Sequence, residues 1–488
     1  MAAGLLYTGA FAPVALWPMV FIGLGVLLFC LRGLTPYEAR RAGFLFGMVV
    51  TCLGCLWLKN IFGWMFLVLC AWQSLFWSLF GWGHAIIDRQ PWNRWHKALA
   101  VACVWTGVEF IRAEHCWLDF PWLTPGHGLG VMPILTLPLL SWIGVYGVGF
   151  VVVAVCMVLR PSEERMRRWL GGPVTARGVW RAAGTCIFVA VTAGPLGFVG
   201  SAWKGIQNRE AEMLNRGLPK ITFAAIQHEQ GSIDAFIEQT QALATPVDLV
   251  IWPEESVPYD VLPPADEWPR LVDLAKQKNC VLVLGTQQRG SGKAWWNTAL
   301  TLDASGELGR HYKMHPVHLF NDGTPGTEAK PVATRLGKIG TPICFDCDYQ
   351  DVVRKMTLAG AEFFAVPSMD PIAWGPDQRQ MHSELFRIRA AENGRAMVVC
   401  ATSGVTQVID GWGYNRSRWV QEGLKRKRVD SVLPALVPGV LTGQISVRTG
   451  FTFFTLYGWV FPWLALVAGA GIMGAVLVRG RKSSPAAE

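Results

Sequence analysis

The chain has 488 residues, of which 51% are hydrophobic, 24 are tryptophan and only 16% are charged, and its mean hydropathy is +0.29. That balance excludes a purely soluble enzyme. The formal net charge of +9 needs a source, and the distribution of basic residues supplies one without nucleic acid. Long apolar runs fill residues 1–200 and 451–478, whereas 201–450 has the punctuated pattern of a globular domain large enough to bury its own core. The expected domains are a transmembrane helical domain over 1–200, a catalytic domain over 201–450, and a C-terminal transmembrane helix with a short tail over 451–488.

A helix needs roughly 20 apolar residues to cross a bilayer. The sequence predicts spans near 14–31, 42–59, 61–86, 98–112, 130–158, 182–200 and 451–478. The fourth is short and carries Glu109; the fifth is long enough for a tilted helix with an irregular approach. Residues 3–12 are apolar but too short to span comfortably, and read either as a re-entrant piece or as the remnant of a first helix that starts upstream. No basic n-region precedes them, so a cleavable signal peptide is not expected. Lys and Arg stay on the cytoplasmic side, and four basic clusters fall on every second loop: Arg32 to Arg41, Arg89 to Lys97, Arg160 to Arg181, and Arg479 to Lys482. This alternation places 201–450 outside the cytoplasm and accounts for the net charge. Lys425-Arg426-Lys427-Arg428 lies in the external part, as either a solvated turn or a contact for anionic head groups.

In the soluble part, residues 221–227, 247–252, 281–285, 339–343 and 363–367 read as strands, and 232–244, 265–278, 350–358 and 377–393 as helices. In this α/β pattern reactive groups collect at strand ends. Glu254, Lys313 and Cys344 each stand at or just beyond such a run. A cysteine attacks as thiolate and needs a base or a nearby cation to reach that state at neutral pH. Glu254 suits the base that takes the proton and returns it to the leaving group. Lys313 suits the partner of a tetrahedral oxyanion, aided by the backbone N–H of Phe345. The product is a thioester on Cys344, resolved by water or by an amine.

Other constellations carry less. Cys344 and Cys347 form a C-x-x-C, but no second ligand pair stands at a zinc-like spacing; Cys347 could instead trap the nucleophile as a disulfide in an oxidising compartment. Cys52 and Cys55 read as small packing residues. His311, His315 and His318 read as loop hydrogen-bonding groups rather than metal ligands, and neither a metal nor a cofactor is expected. Glu109 and Arg112 either pair or line a path for lipid. Trp374 and Trp412 either dip into the head-group layer or close the domain core.

The motifs Trp252-Pro253-Glu254, Trp296-Asn297, Tyr312-Lys313-x-His315, Ile343-Cys344, Arg389-Ala390-Ala391-Glu392-Asn393-Gly394-Arg395 and Ser403-Gly404-Val405-Thr406 resemble the carbon-nitrogen hydrolase (nitrilase) superfamily. With Phe11-Ala12-Pro13 to Trp17-Pro18, Gly43-Phe44 to Gly47, and Glu109 to Trp122, nearly the whole chain resembles the membrane branch, apolipoprotein N-acyltransferase. The resemblance implies a multi-pass α-helical membrane domain plus an α/β nitrilase-like αββα sandwich in a bacterial inner membrane, with the sandwich on the periplasmic side. It also implies Glu254 as base, Lys313 as oxyanion partner and Cys344 as nucleophile, with Asn297, Phe345, Asp322 and Asp346 supporting them. The implied reaction moves an acyl chain from a phospholipid to the α-amine of a diacylated lipoprotein. Two segments differ from the family: His315 to Gly323 replaces H-L-V-P-F-G-E, with Asp322 either taking the place of its carboxylate or not, and Phe345-Asp346 replaces Tyr-Glu. The alternatives are a membrane-tethered amidase, an acyltransferase with another amine acceptor, or a scaffold without activity, against which the intact triad argues.

Overall fold

Thr35 opens the helix Pro36–Gly54 by accepting the Glu38 N–H at 3.2 Å, while Glu38 Oε2 reaches back to the Thr35 N–H at 2.8 Å; this reciprocal cap satisfies donors that a helix start leaves free. The computed structural model describes residues 1–130, 133–162, 217–229, 231–415, 418–422, 425–429 and 432–482. Contacts divide the chain into two units, Met1–Met132 with Ile143–Gln207 and Trp459–Glu488, and Pro133–Trp142 with Asn208–Gly458.

With single turns left unlabelled, the first unit is built from α1 (Ala2–Thr8), α2 (Pro18–Cys30), α3 (Pro36–Gly54), α4 (Phe66–Asp88), α5 (Arg94–Glu114), most of α6 (Pro133–Leu159) and the terminal helix Phe461–Lys482. Among the described residues, Leu58–Asp88, Pro138–Leu159 and Gly458–Arg479 are long and apolar enough to cross a membrane, and Pro18–Cys30 is apolar but shorter. Gly43 and Gly81 let α3 and α4 touch backbone to backbone, since a Cβ at either would come 2.2 Å from a carbonyl of the other helix. The predicted span 98–112 is part of a longer helix, because Asn93 caps α5 by accepting the Trp95 and His96 N–H groups at 3.0 Å. Glu109 and Arg112 are buried in it. Arg112 gives its guanidinium to Gln73 Oε1 and to the Phe120 and Trp122 carbonyls, closing α5 onto the following loop. The sixth predicted span, 182–200, and most of the basic segment before it lie outside the described residues.

The second unit holds β1 (Lys220–Gln227), β2 (Leu249–Ile251), β3 (Val281–Arg289), β4 (Trp295–Asp303), β5 (Gly306–Tyr312), β6 (Val332–Thr334), β7 (Gly337–Gly340), β8 (Phe363–Ser368), β9 (Met397–Ala401), β10 (Thr406–Ile409), β11 (Arg418–Glu422), β12 (Lys425–Val429), β13 (Val432–Leu433) and β14 (Gly439–Ser446). Its helices are α7 (Ile233–Gln241), α8 (Glu267–Lys278), α9 (Asp351–Leu358) and α10 (Pro376–Asn393). One sheet runs β14-β1-β2-β3-β4-β5 and the other β13-β10-β9-β8-β7-β6, while β11 and β12 pair as a separate hairpin.

Alternation along the strands decides the layers. Ile221, Phe223 and Ala225 of β1 share a core with Phe363 and Ala365 of β8 and Val398 and Cys400 of β9. Their neighbours Ala224 and Ile226 pack against Phe236 and Ile237 of α7 and Leu271 and Leu274 of α8. On the second sheet Phe364, Val366, Met397 and Val399 pack against Val352 and Met356 of α9 and Phe386 and Ala390 of α10. The result is the expected αββα order. Central strands covered on both faces read as near-continuous apolar runs, and each fully buried large side chain contributes about 1.5–3 kcal/mol. The predicted strand 339–343 ends at Gly340; Cys344–Cys347 forms a 3-10 turn instead.

Candidate active site

Glu254 enters the core by a short path from β2. The Trp252 N–H donates to the Val283 carbonyl at 2.9 Å, the Trp252 ring stacks on Phe236 at 5.2 Å, and Pro253 turns the chain inward. Gly285 on β3 makes room: a Cβ there would lie 2.4 Å from the Pro253 carbonyl and 2.5 Å from Glu254 Cα. Lys313 follows β5, and its N–H donates to the Asn297 carbonyl at 2.9 Å. Its Nζ lies 2.7 Å from Glu254 Oε1 and 2.7 Å from Asp322 Oδ2. The Asn297 amide donates at 2.8 Å to Glu254 Oε1 and at 2.8 Å to Asp322 Oδ1. Two carboxylates thus share one ammonium and one amide, all of them buried or nearly so. The Val317 N–H donates to Asp322 Oδ2 at 2.8 Å, folding the loop after Lys313 back toward the ammonium.

Burial pushes the Glu254 carboxyl up to about 7 against the pull of Lys313, with Asp322 adding to the rise. Burial alone would lower Lys313, but Glu254, Cys344 and Asp322 raise it well above its usual range, so it stays an ammonium. Glu254 Oε2 is buried with no hydrogen-bond partner, which leaves it as the oxygen able to take a proton.

Cys344 opens the 3-10 turn with φ +46°, a left-handed conformation uncommon for a residue with a Cβ. Its Sγ donates to the Met369 carbonyl at 3.5 Å. Burial, then the charge of Glu254, raises the thiol well above its usual range, with Lys313 opposing, so Cys344 rests as a thiol. Phe345 follows on the turn, its ring edge-on to Tyr349 at 5.3 Å.

Asp346 ties the segment before Cys344 to the segment after Lys313. One carboxylate oxygen accepts the Met314 and His315 N–H groups at 2.9 and 2.8 Å, and the other accepts the Ile343 N–H at 3.1 Å and faces His311 Nε2 at 3.0 Å. Burial would raise this carboxyl, but these hydrogen bonds, His311's first, hold it below the usual carboxylate range. The three histidines each have a separate partner: Asp346 for His311, Asp351 for His315 at 2.8 Å and the Tyr349 hydroxyl for His318 at 3.4 Å. Trp412 lies under the Arg448 guanidinium at 5.0 Å, and Trp374 packs against Phe320 at 5.6 Å. The backbone of Lys425–Val429 pairs with Arg418–Glu422. Met369 and the buried Asp348, Asp370 and His382 were not reached from sequence, since they meet across 35 residues of chain with no shared spacing.

Residues 3–158 match the family model described as apolipoprotein N-acyltransferase N-terminal domain, and residues 216–426 match carbon-nitrogen hydrolase. An apolipoprotein N-acyltransferase of Geobacter metallireducens is 24% identical, covering 99% of this chain and 95% of that protein. The chain is thus similar to apolipoprotein N-acyltransferases over nearly its whole length. An apolipoprotein N-acyltransferase of Nitrosomonas europaea is 25% identical over 84% of this chain and 86% of its own. Among solved structures, Saccharomyces cerevisiae Nit3, described as a member of branch 10 of the nitrilase superfamily, aligns with 46% of this chain and 90% of its own at 19% identity and a TM-score of 0.39. Apolipoprotein N-acyltransferases are acyltransferases of bacterial membranes, and the apolar helices of the first unit fit that setting.

Proposed function

We propose that the chain takes an acyl group from a membrane phospholipid, carries it as a thioester on Cys344, and delivers it to the N-terminal α-amine of a diacylglyceryl-cysteine lipoprotein. The observation that carries this reading is the buried Glu254–Lys313–Asp322 cluster acting on the Cys344 thiol, in a chain with both domains of the family.

In the first half reaction Glu254 Oε2 takes the thiol proton as Sγ attacks the ester carbonyl of the lipid. Lys313 and the Phe345 N–H hold the oxyanion. The C–O bond then breaks, Glu254 returns the proton to the departing oxygen, and a lysophospholipid leaves the thioester behind. In the second, the lipoprotein amine attacks the thioester while Glu254 Oε2 removes its proton. The C–S bond breaks, and the thiolate recovers a proton from Glu254 as the amide departs.

Residues 1–200 and 451–488 are the membrane part and 201–450 the catalytic part in this reading. The basic clusters on alternate loops support an inner-membrane location with the catalytic part on the periplasmic side. The test is intact-mass analysis of the purified full chain given phosphatidylethanolamine and then a diacylated lipopeptide, beside Cys344→Ala. An adduct on Cys344 that moves to the peptide amine supports the transferase. An adduct lost only to water makes the protein a hydrolase, and no adduct removes Cys344 as nucleophile.

A further inference from the structure

A second buried ionic set adjoins Cys344. Asp348, Asp370 and His382 are each 2% exposed or less. His382 Nε2 lies 3.1 Å from Asp348 Oδ1, and its Nδ1 lies 2.7 Å from Asp370 Oδ1. The Gln378 amide also donates to Asp370 Oδ1 at 2.8 Å, and the Ser403 hydroxyl donates to the Asp370 main-chain carbonyl at 2.6 Å. Gly404 leaves the space the carboxylate fills, since a Cβ there would come 2.2 Å from Asp370 Oδ2.

The position of these two carboxylates gives the set its meaning. Asp348 closes the 3-10 turn that begins at Cys344, and its N–H donates to the Phe345 carbonyl at 3.1 Å. Asp370 directly follows Met369, whose carbonyl faces the Cys344 thiol. One imidazole on α10 therefore bridges the segment that carries the nucleophile and the segment that its thiol faces. Burial would lower the imidazole, but Asp370 and Asp348 push it up to about 10, so it is an imidazolium with a proton on each nitrogen. Buried ionic sets of this kind are often no more stabilising than well-packed apolar residues of the same volume. What such a set supplies instead is fixed geometry.

We propose that His382 is a positioning residue for acyl transfer: by holding Asp348 to Asp370 it fixes the Cys344–Phe345 turn, and with it the oxyanion-binding N–H, against the Met369 segment. The proposal rests on the reading of Cys344 as nucleophile. It separates two reactions of the same sulfur. Acyl transfer needs both Sγ and the oxyanion donors in register, whereas alkylation by iodoacetamide passes through no oxyanion.

The experiment uses the full chain in mixed micelles with phosphatidylethanolamine, and compares the rate of adduct formation on Cys344 with its rate of iodoacetamide alkylation. His382→Gln keeps a donor near the Nε2 position and His382→Asn one near Nδ1, so each retains one of the two contacts. Both are expected to slow acylation by about 10- to 100-fold, the range a misplacement of about 1 Å produces. The lipid concentration for half-maximal rate stays the same, and alkylation changes by less than about threefold, well short of that loss. Acylation near the parent rate, or acylation and alkylation falling by one common factor, overturns the proposal. Should neither variant fold, Asp370→Asn keeps an acceptor for Nδ1 and is expected to slow acylation more than alkylation; equal effects overturn it. If the unaltered chain forms no adduct, the nucleophile reading falls and this inference with it, whereas an adduct that forms equally in the parent and variants removes the role of His382 alone.

Discussion

Asp322 Oδ2 lies 2.7 Å from Lys313 Nζ, the same ammonium that Glu254 Oε1 holds at 2.7 Å. With both carboxylates ionised the cluster carries one net negative charge in a site shielded from water, where like charges raise one another's proton affinity. Asp322→Asn removes the charge that helps keep Glu254 high and keeps an acceptor for the ammonium. The expected result is a pH midpoint for Cys344 acylation that moves down from about 7, together with a loss of roughly tenfold in the plateau rate from looser placement of Lys313. A pH series of single-turnover acylation measures both; an unchanged midpoint would remove Asp322 from the electrostatics of the base.

The unaltered site has its own pH profile. In the proposed reaction Glu254 must be ionised to accept the thiol proton, and its folded value of about 7 lies above the usual carboxylate range, so acylation is expected to rise as pH passes upward through about 7. Glu254→Gln, which cannot take a proton, is expected to lose about 10²–10⁴ in rate and to lose that rise, while alkylation of Cys344 at high pH persists.

Asp346 is expected to matter for stability before chemistry. Its carboxylate satisfies three backbone N–H groups and faces His311, and each donor left unpaired in the interior costs about 1–3 kcal/mol. Asp346→Ala should therefore lose on the order of 4 kcal/mol or more, a large part of an ordinary domain's stability. Asp346→Asn, which keeps one full acceptor, should lose less. Thermal unfolding of the purified full chain gives the order, and equal melting of Ala and parent would contradict it.

Gly285→Ala tests the floor beneath the base. Its new methyl meets backbone rather than a flexible side chain, 2.4 Å from the Pro253 carbonyl and 2.5 Å from Glu254 Cα, so the turn carrying Glu254 must shift. A displacement of this kind is expected to cost about 10²-fold in acylation with little effect on the rate of Cys344 alkylation, which does not use the base at high pH.

Much of the sandwich was legible because its central strands are continuous apolar runs: β1, β2, β3 and β8 and all four helices fall where the sequence places them. The edges were not. β5, Gly-Glu-Leu-Gly-Arg-His-Tyr, is mostly half-buried and carries no apolar alternation, and β14 finds β1 by pairing Lys220 with Ser446 across the length of the unit. In the site, Glu254, Lys313 and Cys344 announce themselves by residue type and local context. Asp346 stood out only by resemblance, and its actual work, holding the Lys313 loop to the Cys344 turn, depends on backbone groups 32 residues away. Buried ion pairs such as Asp370 with His382 leave no periodic trace, since they are defined by where loops end rather than by spacing along the chain.

Glu254 has one oxygen engaged by Lys313 and Asn297 and one without a partner. In the proposed reaction, a base with a single usable face would meet the departing oxygen of the lipid and the arriving nitrogen of the lipoprotein at the same point in space. The two substrates therefore queue for one seat. In that reaction, lysophospholipid that stays at this oxygen would block the lipoprotein amine by occupancy alone.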